Sequence, residues 1–254
     1  EANKTASVQL ILDGRKVNAS QIAAGYAAEI IDKFSNAPKI EFIERNWFNP
    51  NLLYYWFTVP GLLAILTLVE TLMMTGLSIA RERELGTFDQ LLVSPLNPSE
   101  ILIGKTIPSI LIGIGEGTVI VLASIFAFQI PFYGSFLLLY LGMFFFTLAI
   151  TGIGLFISSL CATQQQALLG TFLFVTPAIL LSGYATPIEN MPLWLQNASY
   201  LNPTRYFLFI SRGSFLKAVP MQEIFNHIWP LALMSLCTLT AAVGIFRARF
   251  ISAR

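Results

Sequence analysis

The sequence predicts an α-helical polytopic membrane protein, with five membrane spans behind part of a small α/β extracytoplasmic domain. Three observations carry this. Of 254 residues, 55% are hydrophobic and 11% are charged, against roughly 25% charged in an ordinary soluble domain, so lipid is the expected solvent. No Asp, Glu, Lys or Arg occurs between Glu116 and Glu189, a run of about 70 residues with room for several crossings of ~20 residues each. Residues 1–50, by contrast, hold 12 of the 29 charges and have the character of a water-facing segment.

That first segment opens with the apolar run Val8-Gln-Leu-Ile-Leu12, closed by Asp13-Gly14, which reads as strand then turn. A helix follows. Asn18 with Gln21 three residues later resembles a capping box, and Ile22, Tyr26, Ile30 and Phe34 recur every four residues on one face. Fewer than roughly 40 to 60 residues rarely fold unaided. Residues 1–50 are therefore expected to be the C-terminal part of a larger α/β domain. Glu1 stands first with no signal peptide ahead of it, so the natural start is expected upstream.

Residues 51–254 form the expected transmembrane domain. The first span, about 54–80, is long enough at 1.5 Å per residue to cross ~30 Å of hydrocarbon with tilt, and it carries one charge, Glu70. Arg81-Glu-Arg-Glu84 ends it. An amphipathic stretch follows, with Leu85, Phe88, Leu91 and Leu92 opposite Glu82, Asp89 and Gln90, so a surface helix is expected within 81–95. Asn97 as cap, Pro98 at the first helical position and Glu100 at the third open the second span, about 101–128. The third, about 135–160, ends before Gln164-Gln165-Gln166, which reads as a tight turn or polar cap ahead of a fourth span at about 167–183. Residues 184–226 carry Pro187, Pro192 and Pro203, too broken for a plain crossing, and read as re-entrant or interfacial helices. A fifth span covers about 227–246.

Orientation follows from two signs. Arg81, Arg83, Lys105, Arg247, Arg249 and Arg254 share one side, against Arg205, Arg212 and Lys217 on the other, which makes the first side cytoplasmic. Trp47, Trp56, Trp194 and Trp229 fall on the opposite, outer side, where indoles sit among headgroups.

The segment Arg81-Glu-Arg-Glu-Leu-Gly-Thr-Phe-Asp-Gln-Leu-Leu-Val-Ser-Pro95 resembles the signature of ABC-2 type permeases, and Gly104-Lys105 follows where that family tends to have Gly-Lys. The resemblance covers essentially the whole chain, through Asn49-Pro50-Asn51, Ser158 to Gln166, Leu180-Leu-Ser-Gly183, Glu189-Asn-Met-Pro192 and Asn202-Pro203. It implies a six-span subunit of which the first span lies upstream. It further implies pairing with a second permease subunit, as homo- or heterodimer, and a cytoplasmic ABC ATPase that carries ATP and Mg²⁺. Residues 81–95 would be the coupling helix, with Arg81, Glu82, Arg83, Glu84, Gly86, Thr87, Asp89 and Gln90 meeting that ATPase. The closest branch is the multidrug type, which often adds a periplasmic adaptor protein, so the implied role is export of a drug-like or lipidic substrate across a bacterial inner membrane. The bland alternative for 81–95 is a solvated connector.

Glu70 and Glu116 fall near mid-depth of their spans, where a carboxylate costs roughly 2.5 kcal/mol or more unless protonated, paired or facing water. Two readings are open. They line the translocation path or subunit interface, or each hydrogen-bonds a neighbouring helix. Gly113, Gly115, Gly117, Gly152 and Gly154 read as sites of close helix approach. His227 beside Trp229 reads as an interfacial anchor ahead of a metal ligand, and Cys161 and Cys237 imply no disulfide framework.

No phosphate-cradling loop, nucleophile elbow or Cys/His pairing outside the spans occurs, so the chain is expected to be no enzyme, with no cofactor or metal of its own. A formal charge of +1 suggests no nucleic-acid partner; membrane lipid is the expected surroundings. Two rival classes remain. A proton-coupled secondary transporter using Glu70 and Glu116 would need no ATPase and should show repeat symmetry, which the spans lack; a membrane scaffold would leave residues 81–95 free to change.

Overall fold

The computed structural model describes residues 11–13, 17–34, 45–47, 53–216 and 219–252. Val8 to Leu10, Gly14, Asn49-Pro50-Asn51, Lys217 and Arg254 lie outside them. The chain divides after Thr58 into two compact units.

In the first unit, β1 (Ile11–Asp13) pairs in parallel with β2 (Arg45–Trp47), Ile11 opposite Arg45 and Asp13 opposite Trp47. A parallel pair requires a crossover between its strands, and α1 (Val17–Phe34) lies between them in sequence. Asp13, read from sequence as the start of a turn, is still paired. Asn18 lies inside the first turn of α1, which starts at Val17, so it does not stand ahead of the helix as its cap. Ile22, Tyr26 and Ile30 do share a face, and that face is open at 56–62% exposure.

The second unit is helical. Its elements are α2 (Tyr54–Glu84), α3 (Phe88–Leu92), α4 (Pro98–Leu122), α5 (Phe136–Leu160), α6 (Gln164–Leu180), α7 (Leu193–Ser199), α8 (Pro203–Leu216) and α9 (Met221–Ser252). One π-turn, Ala123–Ala127, prolongs α4, and a 3₁₀ turn, Ile188–Asn190, precedes α7. Among the described residues, four helices are long and apolar enough to cross a membrane: Tyr54–Glu84, Pro98–Ala127, Phe136–Leu160 and Met221–Ala248. Helix α6, expected as the fourth crossing over 167–183, has 17 residues, a length of about 25 Å against ~30 Å of hydrocarbon. Helix α9 starts earlier and ends later than the apolar run 227–246, because backbone hydrogen bonding continues through its polar flanks. Asn97 caps α4 as expected, and the Glu100 carboxylate accepts the Asn97 backbone N–H at 2.8 Å.

Helix α5 lies at the centre, with Leu139, Met143, Phe146, Ala149, Ile150 and Leu155 fully buried and contacts to α4, α6, α8 and α9. Close backbone approach makes this possible. A Cβ on Gly154 would collide with the Thr75 hydroxyl of α2, and one on Gly152 would lie 2.8 Å from the Leu239 nitrogen of α9. Gly113 and Gly117 of α4 are likewise closed off by Thr71 and Met143. Gly115, grouped with them from sequence, has open space instead: it lies on the other side of the helix, two residues from each. Some buried and half-buried hydroxyls are satisfied within their own helices, Thr75 donating to Thr71 O at 2.7 Å and Ser159 to Leu155 O at 2.7 Å, and others between helices, Ser211 donating to Pro60 O and Thr238 to Ala149 O at 3.1 Å.

Between α6 and α9 the broken stretch folds back into the bundle. Phe207 of α8 stacks on Phe146 of α5 with centroids 4.6 Å apart, and Phe215 meets Phe132 edge-on at 5.1 Å. Asn202 Nδ2 donates to Ala178 O of α6 at 2.7 Å, holding the start of α8.

Adding a methyl group at a closed helix crossing forces the backbones apart at a cost of roughly 1–3 kcal/mol. Gly154→Ala should therefore lower the thermal midpoint of the purified protein clearly, while Gly115→Ala should leave it within error. Equal midpoints, read by the unfolding fluorescence of both variants, would contradict the α2–α5 crossing.

Candidate functional site

Residues 81–95 do not form one helix. Arg81 to Glu84 are the last turn of α2, which stops because Gly86 takes φ +73°, a left-handed conformation that glycine adopts at little cost. Its N–H donates to Arg83 O at 3.1 Å, and Thr87 Oγ1 donates to Glu82 O at 3.2 Å. The surface helix is the five-residue α3. The glycine turn also moves Leu85 out of the expected apolar stripe, leaving it 63% exposed, whereas Phe88 is 8% exposed and Leu91 half-buried. The side chains of Asp89 and Leu92 lie outside the described residues.

The charges of this segment divide into two sets. Glu82 Oε1 receives Lys105 Nζ of α4 at 2.7 Å, and the same ammonium donates to Ser78 Oγ at 3.1 Å. Arg83 donates from one guanidinium nitrogen to Ser159 O at 2.9 Å and Cys161 O at 3.0 Å, placing a cation at the C-terminal end of α5, where the helix dipole favours one. Its guanidinium carbon lies 4.8 Å from the centroid of the Phe88 ring. The Glu84 carboxylate accepts the Gln164 N–H at 2.7 Å, an anion at the positive N-terminal end of α6. Arg81, Thr87 and Gln90 are exposed, and Val93 is 85% exposed.

Beneath lies an apolar cluster of Ile79, Phe88, Ile101, Leu102, Leu155, Ala242 and Phe246. Phe88 meets Phe246 of α9 edge-on, centroids 6.1 Å apart. Ser158 Oγ accepts the backbone N–H groups of Ile79 and Ala80 at 2.9 and 3.0 Å. The segment therefore seats on α2, α4, α5 and α9, with an ion pair to α4 and charge-assisted hydrogen bonds to the backbone at the end of α5 and the start of α6.

Three contributors were missed from sequence: Ser158, Gln164 and Phe246. For Gln164 a signal existed. Thr163-x-x-Gln166 has the spacing of a capping box, and Thr163 Oγ1 does accept the Gln166 N–H at 3.3 Å while Gln166 Oε1 accepts the Ala162 N–H at 3.0 Å. The glutamine run is thus the first turn of α6, not a tight turn. Ser158 and Phe246 carry no such local signal, since their roles depend on which helices adjoin.

Glu70 and Glu116 are both half-buried. Glu116 Oε2 is enclosed with no hydrogen-bond partner among the described residues. His227 stacks on Phe209 with centroids 3.8 Å apart, and its Nδ1 meets Glu223 O at 2.8 Å.

Residues 17–216 match the family described as ABC-2 type transporter. The chain belongs to that family. This ABC-2 protein is 47% identical over 254 residues to the "Probable multidrug ABC transporter permease YbhR" of Escherichia coli K12, covering 97% of this chain and 69% of that relative. It is 33% identical to the E. coli K12 permease YbhS, covering 91% and 64%, and 28% identical to the E. coli K12 "Inner membrane transport permease YhhJ", covering 98% and 69%. No solved structure matches. As an ABC-2 family member with several apolar helices, it is a multi-pass membrane protein.

The two charge sets differ in what they support. Arg83→Ala removes two charge-assisted hydrogen bonds and should destabilise the ABC-2 bundle by about 2 kcal/mol, seen as a lowered thermal midpoint in detergent. Arg81→Ala, on an exposed residue, should move it little; the reverse order would contradict the inward placement of Arg83.

Proposed function

We propose that this chain is the permease subunit of an ATP-driven exporter in a bacterial inner membrane. In this reading it pairs with a second permease subunit, and ATP is hydrolysed with Mg²⁺ on a separate cytoplasmic ABC ATPase; a periplasmic adaptor completes the path. The observation that carries the reading is the seating of residues 81–95. A helix of five residues is held by Phe88 against α9 and flanked by an ion pair to α4 and charge-assisted hydrogen bonds to the backbone at the end of α5 and the start of α6, so force on its outer surface reaches those elements together. The named permease relatives support the transport role and suggest a drug-like substrate; the apolar spans suit a lipidic one equally.

The division of charges refines which residues meet the ATPase. Glu82, Arg83 and Glu84 are spent on the permease's own helices, so recognition falls to Arg81, Leu85, Thr87, Gln90 and Val93, an apolar centre with a polar rim. In this mechanism closure of the ATPase dimer presses on that surface, and the tilt of α2 and α4 opens a path toward the outer face. The short α6 completes the fifth crossing where the bilayer thins around it or adjoining residues extend it, with 184–226 as the outer re-entrant part.

A second reading, proton-coupled transport, would use Glu70 and Glu116, two half-buried carboxylates of the spans. In the exporter reading the same pair lines the path for a cationic or polar substrate.

The test is purification of the full-length protein from native membranes, with ATP hydrolysis measured in the eluate. Co-eluting ATPase activity is expected to fall about fivefold or more in Leu85→Asp, which sets a charge in the apolar centre of the contact at a cost of about 1 kcal/mol or more, and to survive in Glu70→Gln and Glu116→Gln, which should reduce transport alone. Transport that follows a proton gradient with no ATPase in the eluate would overturn the exporter reading in favour of the second.

A further inference from the structure

Near the Arg81 end of the bundle, α4, α5 and α9 leave an apolar groove between them. Leu102, Ile103 and Ile107 of α4, Leu148 of α5 and Leu239 and Val243 of α9 line it, enclosing about 280 Å³. Of its two lining hydroxyl residues, Ser99 and Thr106, the latter donates to Leu102 O at 2.8 Å. Ile103 and Ile107, 57% and 52% exposed, form an open outer wall. The volume falls below the roughly 300–1,000 Å³ of drug-sized pockets, and a narrow, one-sided, apolar slot suits a flexible hydrocarbon chain.

The mouth of the groove has a charge in register with it. Leu239, Val243 and Arg247 follow one another at intervals of four along α9, so they share a face, and side chains on a helix lean toward its N-terminus. Arg247 therefore stands one turn beyond Val243 on the face of α9 that lines the groove. It is exposed, whereas Lys105 is already engaged by Glu82 at 2.7 Å. Ser99, in the first turn of α4, lines the same end.

We propose that this groove is a binding site for an anionic glycerophospholipid of the adjoining leaflet, one acyl chain lying between α4 and α9 and the phosphate meeting Arg247. Neither Glu70 nor Glu116, the candidate path residues, lines the groove. Leu102 belongs both to the groove wall and to the cluster under Phe88, so an occupied groove braces the seat of α3. The leaflet would be the cytoplasmic one in the orientation proposed above; the binding itself does not rest on that reading.

The experiment is native mass spectrometry of the full-length, delipidated protein titrated with dioleoyl phosphatidylglycerol and, separately, with dioleoylglycerol, which lacks the phosphate. Arg247→Ala should weaken phosphatidylglycerol binding about fivefold, the equivalent of about 1 kcal/mol for one basic residue at a lipid surface, and leave dioleoylglycerol binding unchanged. Ile103→Trp, a filler on the exposed wall that spares the core, should abolish the tight site for both. Leu137→Trp, at the far end of α5 and 74% exposed, should alter neither. Wild-type binding in both Arg247→Ala and Ile103→Trp would overturn the site. Loss in Ile103→Trp alone would overturn the headgroup contact, and loss in Arg247→Ala alone would overturn the groove. Because the readout is binding, it stands apart from whether ATP drives transport.

Discussion

The backbone contact between α5 and its two partners is the constraint on which the rest of this bundle depends. In hydrocarbon, apolar side chains gain nothing by leaving lipid for protein, so helices associate where their surfaces pack closely. Gly154 against Thr75 and Gly152 against Thr238 and Leu239 provide that packing. Once α2 and α5 cross there, the residues one turn further on are fixed in register. Ser158 reaches the Ile79 and Ala80 N–H groups, and Arg83 lands on the carbonyls at the end of α5.

From this register the cytoplasmic-type segment takes its form. Polar links at one end of a bundle are worth more when both partners are partly withdrawn from water, and Arg83, Glu82 and Lys105 are all in that condition. The density of charge in Arg81-Glu-Arg-Glu84 thus reflects two tasks on adjacent residues. One side secures neighbouring helices, and the other is presented outward. A rigid seat is what a lever needs, and α3, with Phe88 set against Phe246, has little freedom to move by itself.

Much of this was legible in the sequence, because the signals are local. The apolar runs placed α2, α4 and α5 within a few residues, and Asn97-Pro98-x-Glu100 marked the start of α4 correctly. Apolar runs bound hydrocarbon rather than helix, however, so α2 and α9 were read too short, and α6, at 17 residues, was read as a crossing on apolarity alone. Leu85 was assigned to the stripe by periodicity. Gly86 breaks that periodicity at the level of φ, and glycine within an amphipathic pattern does not announce which way the chain turns. Gly115 and its neighbours look alike in sequence, yet only Gly113 and Gly117 meet a partner helix. The inward aim of Arg83 and the groove between α4, α5 and α9 both depend on helix adjacency, which no single segment encodes.

The proposed mechanism has force applied at α3 enter the bundle through Phe88, set against Phe246 of α9. It is tested most directly on the full-length permease co-purified with its ATPase, carrying a spin label at Leu193→Cys, an exposed position in α7, with Cys161 and Cys237 replaced by Ser. Adding ATP should change the label's mobility in the otherwise native protein, and Phe88→Ala should abolish that change while ATP hydrolysis continues. An ATP-dependent change of equal size in Phe88→Ala, at equal hydrolysis, would contradict the account.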